Sequence, residues 1–179
     1  MLVTGRFIAS PPVVDSAGTS IDALQLRPPG TSADWERYYE LRWRVLRAPW
    51  DQPRGSEKDD REQESFHVGL WDLAGKPVAA GRLQLNSPME AQVRFMAVDP
   101  AWSRKGLGSK ILAELEAHAR SRGAQTMILN ARDQALPFYE RHGYVTSGKA
   151  HALFGGAVAH VRMKKQLSGG ANACRSESA

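Results

Sequence analysis

The chain has a single cysteine, Cys174, among its 179 residues. No intramolecular disulfide can form, and a cysteine-based zinc site has no basis. No apolar run approaches the roughly 18 residues that a membrane span needs. The opening Met1–Ser20 stretch is interrupted by Gly5, Arg6, Pro11 and Pro12, so it lacks the apolar core of a secretory leader. These absences predict a soluble, cytoplasmic protein with no membrane partner. The five histidines show no His-Glu-x-x-His spacing and no Gly-x-Ser-x-Gly elbow occurs, so neither a metal site nor a serine hydrolase is expected. No internal repeat is present. Acidic residues are the minority, 19 against 24 Lys and Arg, for a net charge of +5. That balance suits an anionic ligand. Basic and acidic residues alternate rather than forming a basic stripe with interleaved aromatics, so a nucleic-acid partner is not expected.

What is present is ordinary globular composition, 42% apolar and 24% charged, in a length that favours one domain. The expected division is an N-terminal extension over 1–30 that adds a strand or drapes over the surface, a domain over 31–167, and a frayed polar tail over 168–179. Thr31 and Ser32 are helix caps ahead of Trp35, Tyr38, Leu41, Val45 and Leu46 at helical spacing. Pro49 and Pro53 end that helix, and the charged Arg54–Glu64 segment reads as a loop leading into a short helix. Phe66–Trp71, Val78–Leu85 and Gln92–Val98 read as an antiparallel meander. Gly106–Arg122 is the clearest helix, with Leu107, Ile111, Leu112, Leu115 and Ala119 on one face and Gly123 as its C-terminal cap. Thr126–Ala131 is a strand, Asp133–His142 a helix, and Ala150–Phe154 with Val158–Lys165 a hairpin through Gly155-Gly156. The fold class is mixed α/β: one mostly antiparallel central sheet flanked by helices.

The most informative stretch is Ser103-Arg104-Lys105-Gly106-Leu107-Gly108-Ser109-Lys110, where a strand runs into the amphipathic helix. Glycine allows close backbone approach, and the first turn of a helix has unpaired N–H groups at the positive end of its dipole. Together they suit phosphate oxygens. The loop is neither a P-loop nor a full Rossmann fingerprint, since the Gly-Lys-Ser/Thr ending is missing and Ile111 stands where a third glycine would be. Downstream, Asn130-Ala131-Arg132 leads into Ala135-Leu136-Pro137-Phe138-Tyr139-Glu140-Arg141-His142-Gly143-Tyr144.

The two motifs in this order resemble the GNAT superfamily of N-acetyltransferases, over roughly Phe66 to Lys164 and most sharply from Gln92 to Tyr144. The resemblance implies an acetyl-CoA-dependent N-acetyltransferase with acetyl-CoA as co-substrate. It assigns the pyrophosphate to the backbone of Arg104, Lys105, Gly106, Leu107, Gly108 and Ser109. Ser103 stands where the family usually has Arg or Gln. Met96, Ala97 and Val98 would bind the pantetheine arm through main-chain groups, as an added strand would. Asn130 matches a cofactor-contacting position, though a turn residue there is an equal reading. Tyr139 matches the residue that protonates the departing thiolate, and a tyrosine packed beside Phe138 is the bland alternative.

The amine must lose a proton before it attacks, yet Gln92–Val98 contains no carboxylate. Candidate bases by type are His67, His151, His160 and Glu57. Glu57, in the acidic Arg54–Glu64 run, is expected to line the acceptor pocket and orient the amine. The leading reading is acetyl transfer by direct attack of a primary amine, of a small molecule or a protein. A non-catalytic acyl-CoA sensor is the alternative. The acceptor's identity and a homodimer are left open.

Overall fold

The computed structural model describes residues 20–150, 152, 156 and 158–167. Its elements are β1 (Gln25–Arg27), α1 (Ser32–Leu46), β2 (Phe66–Trp71), β3 (Pro77–Ser87), β4 (Glu90–Val98), α2 (Leu107–Ser121), β5 (Thr126–Arg132), α3 (Leu136–Arg141), β6 (Val145–Lys149) and β7 (His160–Gln166). They form a seven-stranded sheet in the order β1-β2-β3-β4-β5-β7-β6. Among the described strands only the β4–β5 pair is parallel, so the expected mixed α/β class with a mostly antiparallel sheet is what is observed. Helix α1 covers β3 and β4 on one face, and α2 covers β2, β3 and β4 on the other.

Helix α1 starts where its cap allows. The Thr31 hydroxyl accepts from the Asp34 amide at 3.1 Å, and the Asp34 carboxylate accepts from Gly30 N and pairs with Arg27 at 2.7 Å. A cap and an ion pair therefore tie β1 to α1. Helix α2 buries Leu107, Ile111, Leu112, Leu115 and Ala119 against the sheet, the face its spacing predicts.

Three expectations change. Residues 54–64 form turns and no helix, because Asp59 and Glu62 are drawn onto arginines of α1 and β3. The Asp133–His142 helix divides into a 3-10 turn over Asp133–Ala135 and α3, with Pro137, which has no N–H to donate, in the first turn of α3. On the side away from β5, β7 pairs with Val145–Lys149 rather than with Ala150–Phe154, most of which lies outside the described residues.

Gly81 lies at the centre of the sheet. Register between β3 and β4 slips there: Ala80 pairs with Ala97 and Arg82 with Arg94, so Phe95 and Met96 together oppose one residue. This is a β-bulge, and Phe95 takes a left-handed φ of 51°. The Gly81 carbonyl accepts the Tyr38 hydroxyl of α1 at 2.8 Å. A Cβ on Gly81 would lie 2.5 Å from Ile111 Cγ2 and 3.0 Å from Leu115 Cδ1 of α2. The missing side chain thus sets how closely α2 approaches.

Gly81→Ala should therefore overpack the α2 contact and destabilise the protein by about 1–3 kcal/mol in urea unfolding. Combined with Ile111→Ala, the loss should be smaller than the sum of the two single losses, because the second change removes the clashing methyl.

Candidate active site at the opening between β4 and β5

The two parallel strands part soon after they meet. Pairing covers Glu90–Gln92 against Thr126–Ile128 and goes no further. Beyond Gln92, the edge of β4 facing β5 carries no strand partner through Met96, Ala97 and Val98. The opposite edge stays laddered to β3 at Ala97 and Val98. A strand edge inside a sheet that holds no neighbour is a place for an extended, amide-bearing ligand.

At the far end of β4 the chain turns into α2 through Pro100–Trp102. Asp99 accepts from Ala101 N at 3.1 Å and pairs with Arg44 of α1 at 2.7 Å, which fixes that corner. Arg104 and Gly106 both have positive φ, 60° and 79°, and a Cβ on Gly106 would meet nothing within 4 Å. The N-terminus of α2 therefore faces open space. Arg104 is exposed, and Lys105 Nζ lies 5.0 Å from the Trp102 ring. Gly108 has a different role: a Cβ there would sit 3.3 Å from Phe138 and 3.4 Å from Met96, so its glycine is needed for packing α3 onto α2.

Ser109 is held rather than free. His142 donates from Nδ1 to the Phe138 carbonyl at 2.8 Å, and its Nε2 hydrogen-bonds the Ser109 hydroxyl 2.9 Å away. This clasp between α3 and the first turn of α2 is not evident from the motif, which contains a histidine with no stated role.

Tyr139 is buried between Phe138 and Tyr144, whose rings meet it edge-on. Its hydroxyl points at Met96 Sδ, 3.6 Å away. Thioether sulfur is a weak acceptor, and burial pushes the phenol up to about 12. The group keeps its proton at neutral pH and holds it beside the open edge of β4. Tyr139, Met96 and the glycine loop therefore lie together, with Asn130 exposed on β5 across the opening.

On the α1 face of the sheet, four arginines, Arg42, Arg47, Arg82 and Arg94, gather around Phe95 of the bulge. Arg42 and Arg82 are fully buried. Arg42 forks onto Glu62 at 2.8 and 2.9 Å, and Arg82 reaches Glu62 at 2.6 Å and Asp59 at 2.8 Å. Their guanidinium carbons lie 4.0 and 4.9 Å from the Phe95 ring centre, within cation–π range. Burial raises the Asp59 and Glu62 carboxyls, but the arginines outweigh it and hold both below their ordinary values. Arg47, Arg94 and Arg132 stand at the rim.

Glu57 is not brought to this opening. It is buried, its carboxylate accepts from Gly55 N at 2.7 Å, and its carbonyl accepts from Arg42. It lines a groove along the outer side of α1 with Trp35, Tyr39, Arg44 and Lys58, and no residue of the opening lines that groove. The carboxylate shapes its own turn. His67 is interior as well, bonded through Nε2 to the Glu62 carbonyl at 2.8 Å. His151 lies outside the described residues. His160 pairs with Arg132 across β5 and β7 and bonds through Nδ1 to the Val158 carbonyl at 3.0 Å. Burial, with Arg132 and Arg47 nearby, keeps it below the ordinary histidine value despite that hydrogen bond.

The family model for the Acetyltransferase (GNAT) family matches residues 35–144, more than half of the chain. The chain belongs to that family. It is an N-acetyltransferase, an enzyme that moves an acetyl group from acetyl-CoA to an amine. The uncharacterized N-acetyltransferase YjcF of Bacillus subtilis (strain 168) is 35% identical over 113 residues, 63% of this chain and 79% of that protein. Two solved structures share this acetyltransferase's fold. Escherichia coli ElaA has a TM-score of 0.68 at 15% identity, covering 80% of this chain and 99% of ElaA. An aminoglycoside 6'-N-acetyltransferase complexed with coenzyme A has a TM-score of 0.67 at 15% identity, covering 80% and 97%. The open β4 edge and the unobstructed space before α2 have the unpaired main-chain groups and helix N-terminus that suit amides and phosphates.

Gly106→Asp and Gly106→Asn carry nearly equal side chains that both tolerate a left-handed backbone. Calorimetry should find acetyl-CoA affinity at least about tenfold weaker in the Asp variant than in the Asn variant, since a carboxylate near phosphate repels it. Equal affinities in two folded variants would place the phosphates elsewhere.

Proposed function

We propose that this acetyltransferase passes the acetyl group directly to a primary amine within the β4–β5 opening, with Tyr139 as the acid and His160 as the proton acceptor. The observation that carries the reading is the Tyr139 hydroxyl, aimed at a sulfur 3.6 Å away on the open strand and kept protonated by burial. Main-chain amides from Arg104 through Ser109 hold the pyrophosphate, Met96, Ala97 and Val98 align the pantetheine arm, and Asn130 closes the opposite wall. Acetyl-CoA supplies a thioester, an activated acyl group on a thiol leaving group.

The chain's residues manage two protons. A free thiol has a pKa near 8.5, so donation from a phenol near 12 is uphill in water. The apolar walls that raise Tyr139 would raise a thiol at the same place as well, which narrows the gap. On the acceptor side, Nδ1 of His160 is committed to Val158, leaving Nε2 with its lone pair for the amine's proton. His160 is neutral at pH 7, because burial and two arginines oppose its charging. Glu57 is not needed as a base and supports the turn over 54–57.

Tyr139→Phe keeps the ring and deletes the proton. Turnover should fall by about 10²–10⁴-fold with acetyl-CoA affinity nearly unchanged. Survival of kcat within about twofold, where chemistry is rate-limiting, overturns the acid role. A base must be unprotonated to act, so kcat should fall only as pH drops through a midpoint below the ordinary histidine value of about 6.5. His160→Gln should lower kcat and abolish that acidic limb. An unchanged pH profile in His160→Gln excludes it as the base.

A further inference from the structure

The arginines at the opening exceed what the fold needs for its own carboxylates. Within the cluster, Arg42 and Arg82 take up Glu62 and Asp59 in close, multiple contacts and are sealed from solvent. Arg94 has one ion pair among the described residues, the outer contact of 3.4 Å to Asp59 Oδ2, and its side chain is 39% exposed; its guanidinium carbon lies 5.4 Å from the Phe95 ring centre. Arg132 has no carboxylate within 4.0 Å among the described residues. It donates to the Leu46 carbonyl at 3.2 Å, the same oxygen that Arg47 reaches at 3.2 Å. Two guanidinium groups thus converge on one main-chain oxygen at the end of α1. Their mutual repulsion adds to burial in holding Arg47 below its ordinary value.

Charge continues outward from there. Cross-strand pairs place Arg162 opposite Asn130 and Lys164 opposite Ile128, on the same face as Arg132. Helix α1 packs mainly on β3 and β4 on this side, and Asn130, Arg162 and Lys164 are exposed. Among the described residues, the carboxylates packed against the group are Asp59 and Glu62, both engaged by the buried arginines; Glu57, folded onto its own turn, acts on Arg47 alone of the rim arginines. Asp133 acts on His160 from the end of β5. An amine that carried only positive charge would be repelled by this wall.

We infer that the acceptor is a small amine bearing an oxyanionic group, a carboxylate or a phosphate, which Arg94 and Arg132 receive on the α1 side of the opening. The inference rests on the reading that the amine meets the thioester in this opening. Arg132 lies two residues beyond Asn130, about 6–7 Å along a strand, so amine and anion belong a few bonds apart in a compact acceptor. A planar guanidinium fork suits either oxyanion.

Two arms test it. In the first, the protein saturated with CoA is titrated with inorganic phosphate and the arginine Nε–H resonances are followed by NMR. The Arg94 and Arg132 signals should shift together and saturably, and Arg132→Gln should abolish the shift of Arg94. No saturable shift of either through tens of millimolar phosphate overturns the inference, whatever the turnover assays find. The second arm compares kcat/KM for phosphoethanolamine against ethanolamine and for β-alanine against β-alaninamide. The anionic member should be favoured by about 10–100-fold in at least one pair, the size of a charge-assisted contact. Which pair responds distinguishes phosphate from carboxylate. Arg94→Gln and Arg132→Gln should each cut that ratio at least about fivefold with acetyl-CoA affinity retained. Arg94→Gln serves as the check should loss of the Leu46 tether disturb folding. Equal or reversed preference in both pairs overturns the inference and leaves acetyl transfer standing. Failure of acetyl-CoA to bind would instead count against the transferase reading, and the phosphate titration still decides the anion site.

Discussion

One extra residue in β4 sets the geometry of this acetyltransferase. Opposite Gly81, the strand spends two residues where its partner spends one, and Phe95 adopts a left-handed backbone to do so. Such a conformation costs about 1–3 kcal/mol in a non-glycine residue and persists only where its surroundings hold it. Here they do. Tyr38 fixes the Gly81 carbonyl from above, Ile111 fills the space of the absent Cβ from below, and Arg42 and Arg82 stack on the displaced Phe95 ring. Met96 is thereby turned toward Tyr139, and the strand beyond the bulge runs free of β5.

The acidic run over 54–64 takes its structure from the same place. It has no helix or strand of its own, so its order depends on side-chain contacts. Asp59 and Glu62 fold inward onto two buried arginines, and Arg61 reaches the Leu85 carbonyl at 2.9 Å. Burying ion pairs costs desolvation that their attraction only partly offsets. Multiple short contacts and the aromatic ring are what make the arrangement tolerable. Asp59 and Glu62, two of the carboxylates that a linear reading would set against a cationic amine, are consumed in supporting the bulge, while Glu57 bonds its own turn.

Much of this was legible in the residues. The apolar periodicity of Leu107–Ala119 marks α2, the Thr31 cap marks α1, and Arg-Lys-Gly-Leu-Gly-Ser with Phe-Tyr-x-x-x-Gly-Tyr marks the family, because each is a local pattern with a local cause. Arg82 was a missed signal: a charged residue in the apolar run Val78–Leu83 must find a buried partner or a function. His142, inside the second motif, gave no such hint, since its partner Ser109 is 33 residues away.

By itself the sequence determined most of the secondary elements and the two motifs that mark the family, which depend on neighbours within a turn or a strand, whereas packing set Tyr139 beside Met96, 43 positions away. Only the tertiary structure decided which carboxylates are free. Glu57 faces its own turn and Glu62 faces inward because Arg42 and Arg82, brought from α1 and β3, set the electrostatics there. It also decided that Arg94 and Arg132, 38 positions apart in sequence, both act on Arg47 at the end of α1. Charge partners are chosen by packing across elements, and no spacing along a chain encodes that distance.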